Sequence, residues 1–314
     1  RFPPAPACLP NRGPPVIQGR PAPQTGPAMP PRIIDHLTEV ITDHDLFVVD
    51  QWGVLHDGVR PHPGAIETLQ ELKARGTVVL VSNTSRRVDD NRAALRAIGF
   101  EDHLWDGIIT AGGATLSALL HDQPGARVRC IGDGEPPDHP LRDLAPRLTC
   151  VEGIGDATAL AVVGVSVHPP DHQDDLLIEA IERDLPLYCF NPDIRSVQPD
   201  GSFLYCPGAI AARYEALGGT SLRFGKPRAE LYAQAAAMAP SWTRGLGIGD
   251  SLHHDIQGAI NGGMDSILIA RGIHWDQLCD RPGDRPVPAK LAALCEETGI
   301  WPTAAMGTLQ WSAS

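Results

Sequence analysis

Several features that would assign the chain to a well-defined class of protein are missing from its 314 residues. No apolar run approaches the roughly 18 residues that a membrane-spanning helix needs, and no charged segment followed by an apolar one opens the chain. The seven cysteines are odd in number, widely spaced and without a C-x-x-C pair, which argues against a disulfide framework or a zinc site. These absences predict a cytoplasmic protein with reduced thiols and no membrane partner.

Positive charge is also scarce. The sequence contains 26 Lys and Arg against 38 Asp and Glu, which gives a formal net charge of −12. Nucleic acids and anionic membranes require clustered basic residues, so neither is an expected partner. The segment GIGD (247–250) lacks the third glycine of a dinucleotide-binding loop. A negatively charged substrate would need locally placed donors or a metal ion.

The chain changes character along its length. Residues 1–31 are dense in proline and contain no acidic residue, so we expect them to be disordered. An ordinary helix is predicted at 33–41, and short apolar runs then alternate with helical patterns: strands at 46–50 and 77–83, helices at 65–75 and 88–98. Such alternation is typical of an α/β fold with a parallel, Rossmann-like sheet, whose reactive residues lie at the carboxyl ends of the strands.

A second alternating set of strands and helices begins at residue 109 and ends near 207. The first pattern then resumes with helices at 209–217 and 229–238 and strands at 245–251 and 266–270. We therefore predict a core domain in two parts, residues 32–108 and 208–290, interrupted by an inserted α/β cap domain at 109–207. Residues 291–314 are predicted to form a C-terminal tail.

Residues able to do chemistry follow several predicted core strands. In chain order they are Asp50, Ser82, Asn83, Lys226, Asp250 and Asp255. Taken singly, each has a purely structural explanation as a helix cap, a turn residue or a solvated charge. Their joint order and their placement at strand ends are the informative features.

This ordered set resembles the four sequential motifs of the haloacid-dehalogenase (HAD) superfamily: a nucleophilic Asp, Ser-Asn after a strand, Lys-Pro, and Gly-Asp followed by another Asp. The long insertion between the second and third motifs looks like the cap of the class IIA branch, which includes nitrophenyl-phosphatase-like, sugar-phosphate and pyridoxal-phosphate phosphatases. The likeness spans roughly residues 33–275 and includes GVLHDG (53–58), HPGAIETL (62–69), NPD (191–193) and PGAIA (207–211).

The resemblance implies a Mg²⁺-dependent phosphatase of small phosphorylated metabolites that forms an aspartyl-phosphate on Asp50. Phosphoryl transfer needs charge neutralisation and positioning above all. The implied metal ligands are Asp50, the backbone oxygen of Trp52 and Asp250, with Asp255 orienting metal-bound water. The residues implied to hold the transferring phosphoryl group are Ser82, Asn83 through its backbone, Thr84 and Lys226. Lys226 is also implied to keep Asp50 ionised. A homodimer is left open.

One position departs from the family pattern. Phosphatases of this superfamily usually carry a second Asp two residues after the nucleophile, as the acid and base of the reaction, and this chain has Trp52 there. Indole cannot exchange a proton at neutral pH, and general acid–base catalysis is typically worth about 10² to 10⁴ in rate. Three outcomes remain open: His56 or Asp57 replaces the acid, the leaving group departs unprotonated, or the chain binds without turnover.

Two other functions remain open at this point. Haloacid dehalogenases carry an aromatic residue after the nucleophilic Asp, and in this chain Trp52 is such a residue. Those enzymes need no Mg²⁺, however, and burying the two close carboxylates of Asp250 and Asp255 without a cation is energetically costly. A catalytically impaired ligand-binding protein of the same fold is the other alternative. For substrate choice, Arg195 and Ser196 are candidates in the segment that returns from the cap, although a surface arginine on a turn is the preferred interpretation of Arg195.

Overall fold

The computed structural model describes residues 30–132, 139–197 and 203–312. The strands are β1 Arg32–Ile33, β2 Leu46–Asp50, β3 Thr77–Ser82, β4 Gly107–Thr110, β5 Arg127–Ile131, β6 Thr149–Cys150, β7 Ala159–Val162, β8 Leu187–Cys189, β9 Arg195–Val197, β10 Phe203–Tyr205, β11 Ser221–Arg223, β12 Gly245–Gly249, β13 Asp265–Ile269 and β14 Ala304–Met306. The helices are α1 Ala65–Arg75, α2 Val88–Ala97, α3 Ala111–Asp122, α4 Asp174–Glu182, α5 Pro207–Ala216, α6 Ala229–Ala237, α7 Gln257–Asn261, α8 Trp275–Leu278 and α9 Pro288–Thr298.

Seven strands form a parallel sheet in the order β1-β14-β13-β12-β2-β3-β4. Every residue of the two central strands, β2 and β12, is buried. Leu69 and Leu72 of α1 pack on one face of this sheet, and Leu231 and Tyr232 of α6 pack on the other. A strand covered on both faces appears as a continuous apolar run, which is why the sequence identified these strands. The predicted α/β fold with a parallel sheet is confirmed.

A second parallel sheet, of five strands in the order β11-β8-β7-β5-β6, is inserted between β4 and α6. Leu119 of α3 packs on one face of it, and Ile210 and Tyr214 of α5 pack on the other. Strands β9 and β10 form a separate antiparallel hairpin. We call the elements from α3 to β11 the inserted domain; each face of its sheet has its own apolar cluster.

The end of this insertion differs from the predicted boundary at residue 207. Helix α5 and strand β11 had been expected in the core, yet β11 pairs with β8 and α5 buries Ile210 and Tyr214 against the second sheet. Both sheets alternate strands and helices with the same spacing. Periodicity alone therefore does not say which sheet an element joins.

The two ends of the described chain also differ from expectation. The helix predicted at 33–41 is wrong: this stretch holds edge strand β1 and a 3₁₀ turn at Leu37–Glu39. The predicted tail contributes the end of α9 and strand β14, which pairs with both β13 and β1. These pairings join segments that lie far apart in sequence, so no local pattern indicates them. Residues 1–29, most of the segment predicted to be disordered, lie outside the described residues.

Within the described part of the chain, no helix has the length and apolar character that a membrane span requires.

Candidate active site

Three aspartates meet at the carboxyl ends of the central strands. Asp50 is the last residue of β2, and Asp250 directly follows β12, the neighbouring strand. Asp255 comes from the π-helical turn Leu252–Ile256 that follows. All three side chains are buried, and one oxygen from each lies within 4.8 Å of the others. In residues 30–132, 139–197 and 203–312 this is the one group of three or more acidic, His or Cys side chains close enough to hold a metal ion.

The backbone around the cluster leaves room for nothing larger than glycine at two positions. A Cβ on Gly272 would stand 1.9 Å from Asp250 Oδ2, and a Cβ on Gly249 would stand 2.1 Å from Asp255. Each carboxylate is also held by one backbone amide: Ile273 N–H donates to Asp250 (2.9 Å) and Ser251 N–H donates to Asp255 (3.0 Å). The chain therefore fixes the orientation of these carboxylates through close packing and main-chain hydrogen bonds.

Lys226 places one positive charge among these acids. Its Nζ lies 2.5 Å from Asp50 Oδ1 and 2.7 Å from Asp255 Oδ1, and its side chain is 6% exposed. Burial alone would lower the pKa of this amine, but the attraction of Asp255 and Asp50 outweighs it and holds the pKa well above its usual value. Lys226 is thus a fixed cation beside Asp50, the predicted nucleophile.

One lysine does not neutralise three buried carboxylates. Burial, and then repulsion from Asp255, raise the pKa of Asp50 to about 7. The pKa of Asp250 is raised well above its usual value by burial and by repulsion from Asp50 and Asp255. Such buried carboxylates stay ionised only with a further cation. An all-oxygen donor set of two or three carboxylates suits Mg²⁺, which retains several waters. The residues present therefore fit the predicted metal.

Ser82 is the last residue of β3, beside this cluster, and Asn83 directly follows it; both are buried. Ser82 Oγ accepts a hydrogen bond from Thr84 N–H at 3.2 Å, which orders the turn after the strand. Asn83 Oδ1 accepts from the backbone N–H of Lys226 at 2.9 Å. The Asn83 side chain thus positions the lysine, a role the sequence had not suggested because only its backbone was expected to act.

Asn83 also ties the core to the inserted domain. Its amide donates to Asp193 Oδ1 at 2.7 Å, and the same oxygen lies 3.3 Å from His254 Nδ1. Asp193 belongs to the NPD segment, which is part of the family resemblance but had no predicted role. His254 lies in the turn that carries Asp255.

In the loop after the nucleophile, the side chain of Trp52 packs against neighbouring loop residues and has no catalytic role. The indole is 50% exposed and covers Gly58, where a Cβ would stand 2.5 Å from its six-membered ring. It also meets the His56 ring edge-on, with 5.7 Å between ring centroids. Only the backbone carbonyl of Trp52 was expected to act as a ligand, so this placement leaves that expectation intact.

Neither nearby candidate is suited to replace the missing acid. His56 is buried between Trp52 and Phe100, and its Nδ1 accepts from Gly58 N–H at 3.0 Å. Burial, reinforced by repulsion from His62, lowers its pKa to about 4, so the ring is neutral at pH 7 and a poor proton donor. Asp57 Oδ1 accepts from the N–H groups of Val59 and Arg60, both at 2.9 Å. These bonds lower the pKa of Asp57 and mark it as a turn residue.

Arg195 lies in the β9–β10 hairpin of the inserted domain. Its guanidinium stacks on Phe203, 4.4 Å from the ring centroid, and lies 5.7 Å from the centroid of Tyr205. The hairpin begins two residues after Asp193, the residue bonded to Asn83. Arg195, the predicted specificity residue, therefore stacks on an aromatic ring and lies close in sequence to the Asn83–Asp193 contact between the domains.

A buried amide pair behind the nucleophile was not foreseen. Gln51 and Asn91 are both buried, and Asn91 Nδ2 donates to Gln51 Oε1 at 2.9 Å. This bond ties the residue next to Asp50 to helix α2. Sequence reasoning missed it because the two side chains come from segments whose contact is decided by the packing of α2.

Comparison with known proteins agrees with this geometry. The haloacid dehalogenase-like hydrolase family matches residues 47–142, and a HAD-hydrolase-like family matches residues 223–294. The D-glycerol 3-phosphate phosphatase of Mycobacterium tuberculosis is 26% identical over 263 residues, which is 80% of this chain and 70% of that protein.

Two solved structures extend the comparison. A haloacid dehalogenase-like hydrolase from Brucella suis has a TM-score of 0.71 and 27% identity, and the match covers 88% of this chain and 100% of that one. A glycerol phosphate phosphatase from M. tuberculosis in complex with magnesium has a TM-score of 0.59 and 25% identity, covering 79% and 76%.

The parallel core sheet, its acidic carboxyl edge and these matches define a HAD-type hydrolase, and the chain belongs to the haloacid-dehalogenase superfamily. The α/β domain inserted between Asn83 and Lys226 is the arrangement of the class IIA branch that the sequence predicted.

Proposed function

We propose that this protein is a Mg²⁺-dependent hydrolase of phosphate monoesters of small metabolites. The observation that carries the proposal is the buried cluster of Asp50, Asp250 and Asp255 around Lys226. A phosphoryl group in transfer spreads negative charge over its oxygens, so its site needs fixed cations and little else. The likeness to a glycerol phosphate phosphatase supports the same reaction class.

Asp50 is the proposed nucleophile. Its carboxylate attacks the phosphorus atom, the bond between phosphorus and the ester oxygen breaks, and an aspartyl-phosphate remains on Asp50 until water hydrolyses it. Lys226, fixed 2.5 Å from Asp50, favours the ionised carboxylate before attack and balances charge on the phosphoryl oxygens afterwards. Ser82, Thr84 and the backbone of Asn83 hold the remaining oxygens.

Asp50, Asp250 and the backbone oxygen of Trp52 would hold Mg²⁺, with Asp255 orienting a metal-bound water. The metal would supply charge neutralisation and in-line orientation. In the protein alone, the Ile273 and Ser251 amides keep Asp250 and Asp255 in place for this role.

Proton delivery to the leaving group is the unusual part of the proposal. Trp52 replaces the expected acid, and neither His56 nor Asp57 is a proton donor at neutral pH, for the reasons given above. We propose that the first half-reaction depends on the leaving group itself, or on a proton from the substrate or the inserted domain. Substrates whose alcohol is acidic should then react fastest.

The dehalogenase alternative is less well supported. An aromatic residue after the nucleophile fits it, but it assigns no cation to Asp250 and Asp255, whose burial beside Asp50 is unfavourable without one. The ligand-binding alternative accounts for the cluster of three aspartates, but it gives no reason for Lys226 to be held against Asp50.

Substrate selection is proposed to involve the β9–β10 hairpin. The Arg195 guanidinium, stacked on Phe203, offers donors to an oxygen-rich substrate group beyond the phosphate. A sugar phosphate, glycerol phosphate, nucleotide or vitamin phosphate would satisfy this chemistry. A homodimer stays a prediction.

The test is phosphate release from a panel of these esters and an activated aryl phosphate, each with Mg²⁺ and with chelator. We expect Mg²⁺-dependent release, with the aryl ester among the fastest. Halide release from a haloacid without phosphate release would establish the dehalogenase instead, and inactivity towards both classes would leave only binding. Arg195→Ala should change the relative rates across the panel, whereas Arg285→Ala, on the exposed ion pair with Asp35, should not.

A further inference from the structure

Two cysteines of the inserted domain lie side by side on its edge. Cys130 Sγ and Cys150 Sγ are 3.7 Å apart although the residues are separated by 20 positions in the sequence. Strands β5 and β6 run parallel, with Cys150 paired in register to Val128. Cys130, two residues beyond Val128, therefore points to the same face of the sheet as Cys150.

The thiols of this pair are accessible to solvent, whereas most of the other thiols are not. The Cys150 residue is exposed and Cys130 is partly so, whereas Cys189, Cys206, Cys279 and Cys295 are buried. Strand β6 is a two-residue edge strand, so it can shift more easily than an internal strand. Closing the gap from 3.7 Å to a disulfide bond requires the sulfurs to approach by roughly 1.7 Å.

Residues 139–142, which lie between the two cysteines in the sequence, contact the core domain. Arg87, which precedes α2, donates from Nε to the Pro140 carbonyl at 2.8 Å and from Nη2 to the Arg142 carbonyl. Arg142 in turn forms an ion pair with Asp90 of α2. Residues 139–142 thus clamp the inserted domain to the helix that follows Ser82 and Asn83.

We infer that Cys130 and Cys150 form a reversible disulfide that tightens this clamp when an oxidant is present. With hydrogen peroxide as oxidant, both S–H bonds break, the two sulfurs join, and the two protons and two electrons reduce the peroxide to two molecules of water. A thiol reductant reverses the reaction by exchange. A disulfide that forms only transiently is compatible with a reducing compartment.

The consequence is a restrained segment, since a cross-link removes conformational freedom from the chain it closes. In the oxidised protein, residues 139–148 and the first turn of α2 should exchange amide hydrogens more slowly than in the reduced protein. This inference does not depend on the proposed phosphatase activity, because neither the bridge nor hydrogen exchange requires turnover.

The experiment treats the full chain with stoichiometric hydrogen peroxide and analyses its peptides without reduction. We expect a peptide that links Cys130 to Cys150, amide exchange at 139–148 slowed by roughly tenfold, and a Tm raised by about 4 to 10 °C. A thiol reductant should reverse all three changes. Cys130→Ser and Cys150→Ser should each abolish them, while Cys279→Ser, in the core domain, should leave them intact.

Other outcomes would overturn the inference. A bridge between two molecules through Cys150, a link to another cysteine, or oxidation of Cys150 to a sulfinic acid without a bridge would show that the pair does not close. A correct bridge that leaves exchange at 139–148 unchanged would show that the clamp is not affected by it.

Discussion

The two ends of the core sheet use acidic residues in opposite ways. At the carboxyl ends of β2 and β12, Asp50 and Asp250 are buried together. Burial raises both pKa values, and repulsion from Asp255 raises that of Asp50 further, as repulsion from Asp50 and Asp255 does for Asp250. At the amino ends of the same strands, Asp45 accepts hydrogen bonds from the backbone N–H of Thr243 and of Arg244. Its pKa is lowered, because these bonds outweigh the effect of burial.

Asp265, at the start of β13, completes the contrast. It accepts from His44 Nε2 at 2.9 Å and from Arg244 Nε at 2.6 Å. The hydrogen bond from His44, aided by Arg244, lowers its pKa to about 2. Acids whose partners are supplied by the chain stabilise the fold, whereas acids left short of cations form a site that a ligand must complete. Mutations at the two ends should therefore separate activity from stability.

The largest effect is expected from Asp50→Asn. Loss of the nucleophile should lower kcat by roughly a thousandfold or more, while removal of a repelled charge should leave Tm in the absence of Mg²⁺ unchanged or higher. Asp45→Asn, at the other end of β2, should lower Tm and leave the kcat of the folded enzyme near the wild-type value. Phosphate release and thermal unfolding measure both. Substantial activity in Asp50→Asn would reject the nucleophile assignment.

Removal of metal should have the next largest effect. Chelation should reduce phosphate release by roughly a hundredfold or more, because the buried carboxylates then lack their cation. Mg²⁺ should also raise Tm, because it binds the folded chain and not the unfolded chain. Asp250→Asn should lose that thermal shift and Asp265→Asn should retain it. A shift of equal size in both variants would place the metal elsewhere.

A smaller change in rate is expected from Trp52→Asp. If breakdown of the aspartyl-phosphate lacks a base, an activated aryl phosphate should give a burst of product and then slow turnover, and Trp52→Asp should speed that second phase by about tenfold. Trp52→Phe is the matched control and should keep the wild-type kinetics, as should Asp57→Ala. A burst-free time course in the wild type would contradict this account.

The smallest effect concerns stability and pH. Because the folded pKa of Asp265 lies at about 2, below its usual value, its stabilisation is complete above pH 4 and is lost as the pH falls through 2. Asp265→Asn should therefore lower the free energy of unfolding by about 1 to 2 kcal/mol at pH 7 and by progressively less below pH 4.

Asp280→Asn serves as the surface control for that measurement. Asp280 forms an exposed ion pair with Lys290 at 3.3 Å, and its removal should change stability by little at any pH. A pH-independent loss in Asp265→Asn would mean that packing rather than charge accounts for the effect.

The sequence by itself determined the central strands and the residues at their ends. The runs LFVV and GLGIG contain no polar side chain because both faces of the sheet are covered, and Asp50, Ser82 and Asp250 lie where such strands end. In a parallel sheet those ends share one edge, so the cluster could be predicted without coordinates.

The tertiary structure alone decided what depends on pairing between distant segments. The assignment of α5 and β11 to the second sheet, the pairing of β14 with β1, the bond between Asn83 and Asp193, and the approach of Cys130 to Cys150 leave no trace in local periodicity. The physical reason is that hydrophobic spacing specifies which face of an element is buried, while its partner is selected only when all the elements pack together.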